Sequence, residues 1–315
     1  MIDKSIFNTD VQFNGNIINI KQEVSPNNQQ QTSEAFSEKW TQYETSNEKN
    51  KVYDMQKQWY LKLYGFKSED CLANFLKTKK YILDAGCGLG YKAKWFADLS
   101  PNSIVIAMDI SDACEIAAKN YKDTKNLFFI RGDIANTPFI DNSIDYVSCD
   151  QVIMHTQVPE NTFKELVRVM KQDGEFSCYV YVKKALPREL LDEHFRSYCK
   201  TLTNDELWDM SNKLAQLGKT LQDLEIKINV PDIPQMDIKG GEYDLQRFIY
   251  WNFIKCFWND DLGLDASIMT NFDWYSPSNA KRYSEVEYKK MINDNSLAIK
   301  HFHKEEACYS GRFHK

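Results

Sequence analysis

The sequence predicts an α/β protein built around a mostly parallel sheet, and three observations predict it. From Tyr81 to Val182, short apolar runs alternate with amphipathic segments, the pattern of strands joined by crossover helices. The first run, Tyr-Ile-Leu-Asp-Ala, leads into glycines at 86, 88 and 90 and then a helical segment. The next runs end on Asp109, on Gly132-Asp133 and on Asp150. In open α/β sheets, ligands lie beyond the carboxyl ends of the strands, where strand order reverses. Four distant segments are thus expected to converge on one crevice.

Residues 1–32 form a polar, Asn- and Gln-rich extension, in which Asn14-Gly15 sits between apolar alternations and predicts a small hairpin. Residues 26–31 read as a linker. Over 33–80, Phe36, Trp40, Tyr43, Tyr53, Trp59, Tyr60 and Tyr64 recur at helical spacing and predict a helical cover. The core spans 81–185, with strands at 81–85, 104–108, 127–130, 144–149 and 175–182. Ser111 and Asp112 suit the cap of the helix after the second strand. Phe163, Leu166, Val167 and Met170 share the face of another helix, with Gly174 as its stop.

After Pro187 the alternation stops, and 186–282 reads as a mainly helical insertion, expected to be a lid on the acceptor side. Its parts are a helical stretch at 190–224, a loop marked by Pro231, Pro234, Gly240 and Gly241, and an aromatic helix at 248–258. That aromatic helix is also a possible route to a homo-oligomer. Residues 283–315 return to the core with a helix at 284–293 and strands at 297–303 and 306–312.

At 315 residues the chain can bury a sizeable core. Neither a membrane-spanning run nor a secretory h-region is visible. Eight cysteines without metal-ligand spacing point to a reducing compartment, with the cytoplasm as the expectation. The net charge of −6 argues against a nucleic-acid partner.

The spacing of the glycine loop narrows its chemistry. A dinucleotide loop would place its third glycine at position 91, which is Tyr91, and a phosphate loop would follow Gly90 with Lys-Ser/Thr rather than Tyr91-Lys92-Ala93. The remaining pattern, Asp84-x-Gly86-x-Gly88-x-Gly90, resembles the first motif of class I S-adenosylmethionine-dependent methyltransferases, of the type 11-like kind. The later segments Met108-Asp109-Ile110, Arg131-Gly132-Asp133-Ile134, Phe139 to Val147 and Asp150-Gln151 are similar to that family's succeeding motifs. The resemblance implies a Rossmann-like seven-stranded sheet with S-adenosylmethionine as cofactor. It implies that Asp84, Gly86, Cys87, Gly88 and Gly90 form the cofactor loop and that Asp109 and Ile110 meet the ribose. Gly132, Asp133 and Ile134 would meet the adenine, and Asp150 and Gln151 would border the sulfonium. Ser37 to Tyr43 also resembles a segment of bacterial methyltransferases linked to surface-polysaccharide and glycoconjugate pathways, which implies a small-molecule or sugar-containing acceptor.

Other readings stand beside these. The glycines could serve only a tight turn. Cys87 reads as a small filler rather than a nucleophile. His155 is the candidate general base for a hydroxyl acceptor, and a packed, hydrogen-bonded histidine is an equal reading. His301 and His303 could face a metal or merely line a strand, and no metal site is expected. The aromatic runs are read as packing, with one or two residues reaching the site. The competing functions are an RNA- or protein-directed methyltransferase and a catalytically silent cofactor-binding scaffold.

Overall fold

A computed structural model describes residues 2–20, 27–46 and 49–315. Along the chain, β1 (Gln12–Asn14) and β2 (Ile17–Asn19) form the expected hairpin about Gly15. The helices α1 (Asn27–Glu44), α2 (Lys49–Tyr64) and α3 (Glu69–Leu76) follow, the last capped by the Ser68 hydroxyl. Next come β3 (Tyr81–Ala85), α4 (Tyr91–Leu99), β4 (Ile104–Asp109), α5 (Ala113–Asn120), β5 (Leu127–Arg131), β6 (Ile144–Cys149), α6 (Pro159–Val169) and β7 (Met170–Val182). The elements α7 (Leu186–Cys199), α8 (Asn204–Asp223), β8 (Lys227–Val230), β9 (Gly241–Asp244), α9 (Leu245–Asn252) and α10 (Gly263–Tyr275) fill the next stretch. The chain closes with β10 (Arg282–Tyr283), α11 (Glu285–Asp294), β11 (Ala298–Lys304) and β12 (Cys308–His314).

Two compact units are drawn from these elements: Met1–Trp40, Tyr53–Val182 and Asn279–Lys315 in one, Thr41–Val52 and Lys183–Ser278 in the other. In the first unit the sheet order is β1-β2-β5-β4-β3-β6-β7-β12-β11, with β10 beside β7. The strands from β5 to β7 are parallel, whereas β12 runs antiparallel to both of its neighbours, β7 and β11. The chain therefore builds outward from β3 through β4 to β5, then crosses back to β6 on the other side. That places the switch in strand order between β3 and β6, where a ligand crevice is expected.

The strands are apolar on both faces, as a sheet covered on both sides requires. Leu83, Ile106, Val147 and Phe176 belong to one core cluster, and Ile82, Val105, Tyr146 and Tyr179 to the other. The seven-stranded core is longer than expected by the hairpin, because β2 pairs parallel to β5 at Ile17 and Phe129.

Several expected boundaries are corrected. Residues 27–31 are helical rather than linker, because glutamines are good helix formers and Gln29 and Thr32 accept hydrogen bonds from Asn279; Pro26 lies outside the described residues. The helical cover thus begins at Asn27, not 33. Helix α6 ends at Val169, where Met170 turns to extended geometry, so Met170 and Gly174 belong to β7. Asp112 occupies the cap position of α5 without a side-chain cap bond. Its carboxylate pairs instead with Arg131, while the Ser111 hydroxyl bonds Asp109.

The second unit is helical around α7, α8, α9 and α10, with Trp208 of α8 stacked on Phe272 of α10 at 3.8 Å. Thr203 and Glu206 form a capping box that starts α8. Residues around the expected loop pair as a hairpin, with Lys227 opposite Asp244 and Val230 opposite Gly241. The aromatic helix is shorter than expected, since α9 ends at Asn252. Beyond it, Asn271 accepts the Phe257 amide at 2.8 Å and donates to the Phe257 carbonyl at 3.2 Å. A side chain of α10 thereby supplies the bonds that a continued helix would have made. No helix among the described residues is long and apolar enough to cross a membrane.

Candidate active site

The loop after β3 is tied to the end of β4. The Gly86 and Cys87 amides both donate to the Met108 carbonyl, at 2.7 and 3.1 Å. The Gly88 amide donates to Asp109 Oδ2 at 2.8 Å, and the Ser111 amide and hydroxyl donate to Oδ1 at 2.9 and 2.6 Å. Gly86 holds φ +85°, and a Cβ there would lie 2.3 Å from Val152 Cγ1. At Gly88 a Cβ would lie 2.8 Å from the Trp40 indole. The backbone conformation and the neighbours both demand glycine at Gly86. Gly90, in the left-handed region, starts α4.

The structure brings the predicted strand ends together. Gly132 N–H donates to the Asp109 carbonyl at 2.9 Å, joining the ends of β4 and β5. Asp133 Oδ1 accepts the Ala135 amide at 2.9 Å, the turn role that aspartate often takes, and burial raises its carboxyl above the usual range. Ile134 is buried beside it, while Ile110 is half-buried after Asp109. At the end of β6, Asp150 Oδ1 accepts the Tyr64 hydroxyl at 2.7 Å, and Gln151 follows at φ +63°. Two residues from the aromatic helices reach this loop: Trp40 over Gly88, and Tyr53, which stacks on Tyr91 at 4.1 Å. Tyr64 reaches Asp150 through its hydroxyl, and Tyr60 packs against Trp95 and Phe96.

Lys92, on the first turn of α4, is the residue that sequence reasoning missed. Its ammonium stands 3.4 Å from Asp84 Oδ1 and 3.3 Å from Asp150 Oδ2, and all three groups are buried. It bridges the β3 and β6 carboxylates across the switch point. The signal was a lone lysine sharing a helix face with Trp95 and Phe96 at i, i+3 and i, i+4 spacing. Lys92 holds its proton more tightly than usual because both acids surround it. Asp84 is pushed from 3.8 to about 6 by burial, against the pull of Lys92. Neither of its oxygens has a well-formed hydrogen bond from the described residues.

This carries a pH signature. Between about pH 4 and pH 6 the folded chain keeps a proton on Asp84 that the unfolded chain has lost. The stability tied to that proton is full below about pH 4 and gone above about pH 6. Urea unfolding across this window is expected to show stability falling as pH rises, and Asp84→Asn is expected to remove that contribution. An unchanged pH profile in the variant would contradict the assignment.

His155 is buried and bonded at both ring nitrogens. Nδ1 lies 2.7 Å from the Asn279 carbonyl, which can only accept, so Nδ1 carries the proton. Nε2 lies 3.3 Å from the Tyr181 hydroxyl. Cys87 is buried with its thiol pushed well up by desolvation, which fits the filler reading. His303 pairs with Glu305 at 2.9 Å, and the His301 ring packs where Gly65 has no Cβ.

With this geometry in place, the comparisons define the class. Residues 83–178 match the family model of the methyltransferase domain. A stretch of 111 residues is 31% identical to sterol 24-C-methyltransferase erg6 of Schizosaccharomyces pombe, covering 34% of this chain and 29% of that protein. A stretch of 179 residues is 28% identical to the sterol 24-C-methyltransferase of Pneumocystis carinii, covering 56% of this chain and 46% of that protein. The chain thus spans between about a third and a half of the length of these relatives. Among solved structures, PKMT2 from Rickettsia typhi in complex with AdoHcy is 17% identical over 71% of this chain and 40% of that one, with a TM-score of 0.48. The matched residues form a methyltransferase domain of class I, the kind that uses S-adenosylmethionine.

Proposed function

We propose that the chain transfers a methyl group from S-adenosylmethionine to a small-molecule acceptor by in-line displacement. The observation that carries this reading is the glycine loop of β3 bound through Gly88 to the Asp109 carboxylate at the end of β4. A carboxylate offers about four lone-pair sites, and Asp109 commits three to Gly88 and Ser111. The remaining site on Oδ2 would take a ribose hydroxyl, with the Ser111 hydroxyl yielding to a second. Gly86 and Gly88 let Val152 and Trp40 pack directly on the loop backbone, which fixes the turn that carries Gly88 to Asp109. Ile110 would flank the ribose, Gly132, Asp133 and Ile134 would hold the adenine, and Asp150 and Gln151 would border the reacting end.

Bound S-adenosylmethionine supplies an electrophilic methyl group on a sulfonium. The protein's main task is to align the acceptor with it. For a hydroxyl acceptor, His155 takes the proton at Nε2 in exchange for its contact with Tyr181, while Nδ1–H keeps the ring fixed on Asn279. The two relatives are sterol methyltransferases by name, which supports a small-molecule acceptor. The segment 37–43 keeps a sugar-containing acceptor in view, and the net charge of −6 disfavours RNA.

The test is transfer of labelled methyl to a panel of sterols, glycolipids, nucleotide sugars, RNA and protein. Label is expected in a small molecule, with Asp109→Ala raising the KM for S-adenosylmethionine by about tenfold or more, the loss of one or two charge-assisted hydrogen bonds. Label confined to RNA or protein would overturn the acceptor class. Cofactor binding without transfer to any physiological acceptor would favour the silent scaffold.

A further inference from the structure

We infer that Thr32 and Gln29 of α1 are positioning residues for His155, holding its imidazole in the tautomer that leaves Nε2 as a proton acceptor. The inference rests on the reading of His155 as the base for a hydroxyl acceptor. His155 lies on a short helical turn, Ile153–His155, that follows β6, and its exposure is 6%. The groups bonded to its ring come from distant segments: the Asn279 carbonyl at Nδ1 and the Tyr181 hydroxyl at Nε2.

Gln29, Thr32 and Phe36 recur at i, i+3 and i+7 and so share one face of α1. Gln29 and Thr32 are buried, and a buried amide or hydroxyl is costly unless it is bonded. Both meet Asn279. The Thr32 hydroxyl accepts the Asn279 backbone amide and Gln29 Oε1 accepts its side-chain amide, each at 3.3 Å. Two residues further on, the Lys281 amide donates to the Met154 carbonyl at 3.0 Å, which ties the same segment to the turn that carries His155. Asn279 is thus held from both sides, with its carbonyl 2.7 Å from Nδ1. The Phe36 ring stands edge-on to the imidazole at 4.9 Å and the Tyr181 ring at 5.5 Å, so the ring plane is fixed as well.

The hydrogen bond made by one ring nitrogen decides which of the two carries the proton. A carbonyl oxygen only accepts, so the proton stays on Nδ1 and Nε2 keeps its lone pair. In the opposite tautomer, the Nδ1 and carbonyl lone pairs would face each other at 2.7 Å, and Nε2 would have nothing to offer the proton of a hydroxyl. A histidine base in the wrong tautomer is idle however well it is placed. Loosening Asn279 would admit that tautomer. Helix α1 therefore contributes no reacting group and acts on His155 through Asn279.

The test reads the tautomer directly, by nitrogen NMR of the imidazole in the full chain without S-adenosylmethionine, with the His155 signal assigned by its loss in His155→Gln. A pH of about 8 lies above the ordinary titration range of an imidazole. The wild type is expected to show a protonated Nδ1 and a bare Nε2. Thr32→Val, which keeps the shape and removes the acceptor, is expected to raise the share of the Nε2–H form about tenfold, the effect of about one hydrogen bond. Thr32→Ser is expected to restore the wild-type ratio. Gln29→Met serves as the second variant should Thr32→Val fail to fold. Gln30→Ala, at an exposed neighbour on the same helix, is expected to leave the ratio unchanged. A wild type in the Nε2–H form would overturn the proposal. So would an unmoved ratio in Thr32→Val and Gln29→Met, or an equal shift in Gln30→Ala. No methyl donor or acceptor is present, so these outcomes are separate from a failure of methyl transfer.

Discussion

Replacing Gly86 with alanine is expected to weaken S-adenosylmethionine binding by about a hundredfold, roughly 3 kcal/mol, and to destabilise the fold as well. Two costs combine. The residue holds φ +85°, where an L side chain is disfavoured by roughly 1–2 kcal/mol. The new Cβ would also lie 2.3 Å from Val152 Cγ1, so the segment after β6 must move. That segment follows Asp150 and Gln151, so the displacement reaches two residues assigned to the cofactor. Gly15→Ala is the control: its φ is +59°, but nothing lies within 4 Å of the added Cβ. It is expected to cost about 1 kcal/mol of stability and to leave cofactor binding unchanged. Equal binding losses in the two variants, read by calorimetry, would remove the glycine loop from the site.

Lys92→Met is expected to destabilise the protein by about 3–5 kcal/mol near pH 8, the cost of leaving buried charge unpaired. The variant leaves Asp84 and Asp150 without the ammonium that stands 3.4 and 3.3 Å from them. Because protonation of Asp84 relieves the repulsion, the loss is expected to shrink at pH 5. The double variant Lys92→Met with Asp84→Asn is expected to recover much of the stability, since an amide carries no charge. Urea unfolding at the two pH values checks all three statements. Wild-type stability of Lys92→Met at pH 8 would show that the bridge is not a structural tie between β3 and β6.

The parts of the fold that were legible in the sequence are those with a strong local signal. The runs at 81–85 and 144–149 coincide with β3 and β6, because a strand covered on both faces is written as an apolar run. The glycines and strand-end acids were legible for a related reason, since backbone close approach and a carboxyl at a strand end each require particular residues. The misses share a different origin. The helix from Asn27 is polar, and its buried Gln29 and Thr32 are held by Asn279, a residue some 250 positions away. Helix α9 stops early because Asn271, from α10, satisfies the backbone of Phe257. The pairing of β2 with β5 is likewise set by a tertiary partner. Lys92 carries no local mark of its burial, which is set by Asp84 and Asp150 from β3 and the end of β6. Long-range polar partners leave no periodicity for a sequence pattern to reveal.

Calorimetric titration of the full chain with S-adenosylhomocysteine, the demethylated cofactor, tests the assignment of the β3 loop and the Asp109 carboxylate most directly. Saturable binding of one molecule per chain is predicted, lost or strongly weakened in Gly86→Ala and retained in Gly15→Ala. The absence of any binding by the folded wild-type chain, to either S-adenosylhomocysteine or S-adenosylmethionine, would contradict it.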